Sequence, residues 1–282
     1  MKIKKVPDPT KQYNALVVPD PTEKRRAFAV PGLTWLSLFI IISGFVCMQS
    51  LASSLQQQAE MSWAKREDPT QTKVAIQLWE KALEESPQNP SILVALAKAC
   101  GREYRHADSK NERQSVSELA LRYAKEATEV APQNADAWTE YGEALAQKAD
   151  FNKGLGGLKL VKQAVTALEK AVALNPKQSY AHMLLSQIYR QAPGRPLSIG
   201  NIDKSLEHGK LAVESGPNYA INHLALAKVY LELKEKEKAR EQLELIAKLT
   251  PPDDNVPETK SDQETAKELL DKLQIEKTKG KS

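Results

Sequence analysis

Small and apolar residues recur along this chain at spacings of four and three, the interval that stacks side chains on one face of an α-helix. "AIQLWEKALEESP" at 75–87 and "AVTALEKAVALNP" at 164–176 obey one rule: alanine, a bulky residue four places on, alanine three further, then proline. The rule gives Ala75, Trp79, Ala82, Pro87 and Ala164, Leu168, Ala171, Pro176. Relaxed copies are Ala120, Ala124, Ala127, Pro132; Ser205, Gly209, Ala212, Pro217; and Ala239, Leu243, Ile246, Pro251. Small residues on such a face admit a second helix at close range, and the proline ends the helix. The pattern therefore predicts five similar helices, each followed by a break.

After each of the first four prolines a second helical pattern starts, most clearly in "ADAWTEYGEAL", with Trp138, Tyr141, Gly142 and Leu145 on one face. Its counterparts are Leu93, Leu96, Ala97, Cys100; His182, Leu185, Ser186, Tyr189; and His223, Leu226, Ala227, Tyr230. This alternation resembles the tetratricopeptide repeat, whose signature joins W-x2-L-G-x2-Y to the alanine and proline pattern. The resemblance implies an all-α helical solenoid over 70–253, a half repeat plus four units, because one helix pair cannot bury its apolar stripe alone. A helix at 261–277, opened by a Ser261–Glu264 capping box, is expected after the linker from 254 and would cover the last repeat. Residues 278–282 then read as a tail.

Extra residues separate the two helices of the earlier units, about eleven after Cys100, ten after Leu145 and seven after Tyr189. They are expected as inserted loops on one edge of the solenoid. "FNKGLGGLKL" at 151–160 lies in the second. Its three glycines and Lys159 suggest a phosphate loop, but Leu160 stands where Ser or Thr is required and no strand pattern precedes it. A helix-to-helix turn is the better account. Arg102, Arg105, His106 and Arg113 cluster around the first insert, either as a site for phosphate or carboxylate or as a solvated loop, and with Lys153 and Lys159 beside the glycines they form the expected insert-loop surface.

Residues 27–59 carry no charged side chain, and "LTWLSLFIIISGFVCMQSL" at 33–51 is long enough to span a hydrocarbon core of about 30 Å as a helix. A transmembrane helix is expected within 27–55, followed by a linker or degenerate helix at 56–69. Lys2, Lys4, Lys5, Lys11, Lys24, Arg25 and Arg26 precede it, which places the flexible tail 1–26 in the cytoplasm and the repeats outside it, most simply across a bacterial inner membrane facing the periplasm. Cleavage after Ser50-Leu51-Ala52 with export, lipid attachment at Cys47, and an organelle outer membrane are competing readings.

Forty Lys and Arg against 36 Asp and Glu, interleaved along helical faces, give little support to nucleic-acid binding. Cys47 and Cys100 lack a C-x-x-C partner, so neither a disulfide nor a zinc framework is expected. His182 and His223 fall about 10 Å apart by helix-packing distance, too far to share an ion. No metal, cofactor or catalytic residue is expected, and no nucleophile stands beside an evident base. The first helices of such arrays line a concave groove. There Lys98, Tyr180, Met183, Gln187, Arg190, Ile221, Leu224 and Lys228 are the candidate contacts with a partner; Tyr180, Met183, Ile221 and Leu224 form either an apolar patch for an amphipathic helix or a lipid, or a face buried by a neighbouring insert or the C-terminal helix.

"NADAW", "FNKGLGGLKL" leading into "ALEKAVALNP", "AHMLLSQIY", "SIGNIDKSLEHGKLAVESGP" and "LAKVYLELKEKEKARE" resemble the regulator of microtubule dynamics family and its bacterial relatives. TRAP-transporter T-components share inserted repeats. The resemblance implies a non-enzymatic, membrane-anchored protein that tethers and binds protein partners or lipids.

Overall fold

The computed structural model describes residues 53–152, 154–194, 198–252 and 255–279. Helix α1 covers residues 53–64. It is followed by α2 (Pro69–Glu85), α3 (Pro90–His106), α4 (Lys110–Val130), α5 (Ala135–Ala149), α6 (Leu155–Leu174), α7 (Ser179–Gln191), α8 (Ile202–Ser215), α9 (Ala220–Glu232), α10 (Lys236–Ile246) and α11 (Val256–Lys279). The described residues contain no strand, only an isolated bridge between Gly194 and Gly200.

Local sequence explains most boundaries. Asn89 and Asn134 accept hydrogen bonds from the first free N–H groups of α3 and α5, and Asp68 does so for α2. At the other end, the residue before each repeat proline donates its N–H to the last repeat alanine: Ser86 to Ala82, Ala131 to Ala127, Asn175 to Ala171 and Gly216 to Ala212. Proline then has no N–H with which to extend the ladder.

All five copies of the small-residue rule are buried, including Ala75, Ala124, Ala164, Leu168, Gly209, Leu243 and Ile246. They pack against Leu93, Leu96, Cys100, Leu145, Leu185, Leu226 and their neighbours, so the core runs between α3, α5, α7 and α9 on one side and α2, α4, α6, α8 and α10 on the other. Gly142 sits against Leu168, where an added Cβ would fall 2.6 Å from the Leu168 side chain. Close approach, not backbone freedom, requires glycine there.

Helix shortens two of the three expected insert loops. Residues after Cys100 continue α3 to His106, and α4 starts at Lys110, leaving three connecting residues. After Leu145 the helix continues to Ala149 and α6 starts at Leu155. Gly154 takes φ 67°, while Gly157 lies in the first turn of α6, where a Cβ would fall 2.0 Å from the Asn152 carbonyl oxygen. Between α7 and α8, the described residues 192–194 and 198–201 lie outside any helix. The C-terminal helix begins at Val256, so Ser261 lies inside it rather than capping it.

The apolar run expected to cross a membrane lies outside the described residues up to position 52, and the stretch after it is helical through residue 64. Among the described residues no helix is long and apolar enough to cross a membrane.

Candidate functional site

The first helices α3, α5, α7 and α9 line a cavity of about 530 Å³, with α1 and the first turns of α11 forming the remaining wall. That volume lies within the range of small-molecule and side-chain pockets. The helical register of α5 places Asp136, Glu140 and Glu143 on one stripe facing it, and α3 contributes Lys98, Arg102, Arg105 and His106 at the same spacings.

The charges are arranged in pairs. Arg105 donates to Glu143 at 2.5 Å, and that carboxylate also accepts from the Tyr180 hydroxyl at 3.0 Å and the Gln147 amide at 3.0 Å. Gln178 donates to Asp136 at 2.5 Å. At the α1–α11 wall, Arg66 grips Glu258 with two hydrogen bonds, 3.0 and 2.8 Å, and Arg102 donates to the same carboxylate and to the Arg66 carbonyl at 2.9 Å. The Arg66 guanidinium also lies 4.5 Å from the Trp63 ring centre. Burial raises the Glu258 carboxyl, but Arg66 and Arg102 outweigh it and hold the group below the ordinary range.

Burial dominates elsewhere. It pushes Glu140 up to about 8, helped by Glu143, and Asp262 up to about 7 against the pull of Lys228. It raises the Tyr180 hydroxyl well above its usual value and lowers His106, the latter together with Arg102 and Arg105. It also lowers Lys228, with Arg190 adding to the effect. Cys100 is enclosed, and burial pushes its thiol to about 12, which leaves it unreactive. Among the described residues no group of three or more His, Cys, Asp or Glu is placed to hold a metal.

The expected groove residues divide. Lys98, Tyr180, Met183, Gln187 and Ile221 do line the cavity. Leu224 does not: it is 2% exposed and packs with Leu243, Ile246, Ala266 and Leu273, because α11 covers it. It is core, and the expected apolar patch is shortened by one residue. Arg190 pairs with Glu232 at 3.6 Å, and Lys228 is half-buried beside Arg190 and near Asp262, away from the cavity wall.

The expected insert-loop surface does not form a single patch. Arg102, Arg105 and His106 stand on the last turns of α3 and face the groove instead, since the insert prolongs that helix. Arg113 is exposed on α4 and Lys159 on α6, while Lys153 lies outside the described residues. Glu140, Arg66, Trp63, Glu258 and Asp262 were not anticipated. Glu140 had a signal, the i, i+4, i+7 run of acids on α5; Arg66 and Glu258 meet across 192 positions and had none.

The family model for regulator of microtubule dynamics protein 1-3 matches residues 55–188, and a tetratricopeptide repeat model matches 160–220. No curated protein sequence matches the chain. Among solved structures, the thermophilic tetratricopeptide protein TTC0263 of Thermus thermophilus aligns with TM-score 0.60 and 19% identity, covering 76% of this chain and 98% of its own. The pilF protein of Pseudomonas aeruginosa aligns with TM-score 0.52 and 18% identity, covering 80% and 93%. At these identities the likeness shows the fold alone. With the buried repeat faces described above, these matches give the chain a tetratricopeptide-type helical repeat fold that resembles, over residues 55–188, the regulator of microtubule dynamics family.

Proposed function

We propose that this chain is a non-enzymatic scaffold, tethered to a membrane by residues 27–55, whose concave cavity binds a segment of a protein partner. The observation that carries the reading is the cavity itself: about 530 Å³ on the first-helix face, walled by residues of both charges and by Tyr180, Met183 and Ile221. Such a wall offers an extended or helical segment both polar anchors and apolar contact. In this reading the basic tail 1–26 is cytoplasmic and the repeats lie on the far side of the membrane.

A photo-crosslinking residue placed at Gln187 on the cavity wall is expected to capture a discrete protein in cells, whereas one at Lys170, exposed on α6, is not. Equal capture from both positions, or none from Gln187, removes the groove as the binding surface. Retention of the intact chain in membranes after alkaline extraction tests the tether; a released mature protein starting near Ser53 removes it.

A lipid or other amphipathic ligand is the second reading, favoured by Trp63, Met183, Leu184 and Ile221 on the same wall. Native mass spectrometry of the full-length protein separates the two: a bound lipid of defined mass supports the second, a bare groove the first.

A further inference from the structure

Glu140 occupies the middle of the acidic stripe on α5 and is 7% exposed, with its carboxyl group on the cavity wall. Its neighbour Glu143 is saturated by Arg105, Tyr180 and Gln147. Glu140 has no hydrogen bond or ion pair among the described residues, although Lys98 and Arg105 attract it across the cavity while Asp136 and Glu143 repel it. Glu258, Asp262 and Tyr180 face the same cavity from α11 and α7. A buried carboxyl group without a partner is a cost to folding, which an apolar or amide side chain of similar size would avoid. A carboxyl group kept at that cost on a cavity wall, open to whatever enters the cavity, is a candidate ligand contact.

The sign of that ligand follows from what is already satisfied. Arg66, Arg102 and Arg105 are engaged by Glu258 and Glu143, so an anion drawn to those three must displace carboxylates, and the remaining lysine of the wall, Lys98, is attracted by Glu140 itself. An incoming cation meets an open carboxyl group. We propose that Glu140 is the receptor for a basic side chain, lysine or arginine, carried by the protein segment that the groove binds. This rests on the groove reading above and names the chemistry of its partner.

Bound in this way, the cation ionises Glu140, so binding is coupled to release of a proton. Because burial holds the empty site well above the ordinary carboxylate range, affinity rises as pH climbs through neutrality. Lys98, the cation that faces Glu140 without bonding to it, competes with the ligand.

The test is calorimetric titration of the full-length protein in detergent with the peptide acetyl-Ala-Arg-Ala-amide, its lysine counterpart, and glutamate and norleucine counterparts as controls. Expected are binding of the two basic peptides only, proton release visible as a buffer-dependent heat, and tightening with pH. Glu140→Gln is expected to lose binding at least tenfold and to unfold at the same or a higher temperature. Lys98→Met is expected to bind the basic peptides more tightly. Equal binding to Glu140→Gln, preference for the glutamate peptide, no binding of any peptide, or a Glu140→Gln protein that is markedly less stable would each overturn the proposal. Because the peptides need no cellular partner, capture from Gln187 together with unaltered binding to Glu140→Gln sinks this inference and leaves the scaffold reading standing.

Discussion

Trp138, His182 and His223 stand at the same place in three successive repeats, and each turns a ring N–H toward the carbonyl of the proline that ends the preceding helix. The distances are 2.9 Å to Pro132, 3.1 Å to Pro176 and 2.9 Å to Pro217. Histidine thus replaces the repeat's tryptophan as a buried donor, which a count of histidines alone cannot reveal. With Nε2–H of His182 committed to Pro176, its Nδ1 is left to accept from His208 Nδ1–H at 3.0 Å. His208 also stacks on Tyr189, and burial together with His182 holds it below the ordinary imidazole range. As pH falls below about 6.5 the unfolded chain therefore takes up this proton first, and stability declines until the folded His208 titrates. His208→Asn keeps the donor and removes the titration, so thermal unfolding across pH 5–8 should show a shallower slope than wild type. Gly142→Ala addresses packing: the new methyl meets Leu168 and the Ala164 carbonyl, and an expected loss of roughly 1–3 kcal/mol is measurable by denaturant unfolding.

Helices were legible where their periodicity is set by packing on a neighbour. The alanines of α2, α4 and α6 announce a close partner, and the proline after each announces its end. The prolongation of α3 through "GREYRH" was not legible, because charged residues on a helix and on a loop look alike until Glu143 and Glu258 are placed opposite them. For that reason Arg102, Arg105 and His106 were expected on a loop surface and not in the groove. Leu224 shows the same effect in reverse. As a groove residue it would tolerate Asp with little change in stability; as core beneath α11 it should not. Leu224→Asp is expected to lower stability by about 3 kcal/mol or more, read by thermal unfolding. Removing residues 256–282 uncovers Leu224, Leu243 and Ile246 together. The truncated protein should bind a hydrophobic dye and aggregate, whereas a monodisperse truncated form would mean that α11 contributes little to the array.

At the scale of the whole molecule, the ion pairs of Arg66 and Arg102 with Glu258, and of Lys260 with Glu67 at 2.5 Å, join the turn after α1, and α3, to the last described helix. Because Glu258 is held below its ordinary carboxylate range, its contribution is present at neutral pH and lost as pH falls through the folded value. Glu258→Gln should therefore melt earlier than wild type at pH 7, with the difference shrinking in acid; an unchanged melting temperature at pH 7 would remove the clamp from the account. An open array of repeats frays from its two ends, and amide protection climbs toward the middle. Here, among the described residues, Arg66 and Glu258 tie one end of the array to the other. Hydrogen exchange should then report one level of protection from α2 to α10, and a chain cut open between α6 and α7, with its natural ends joined, should still close upon itself.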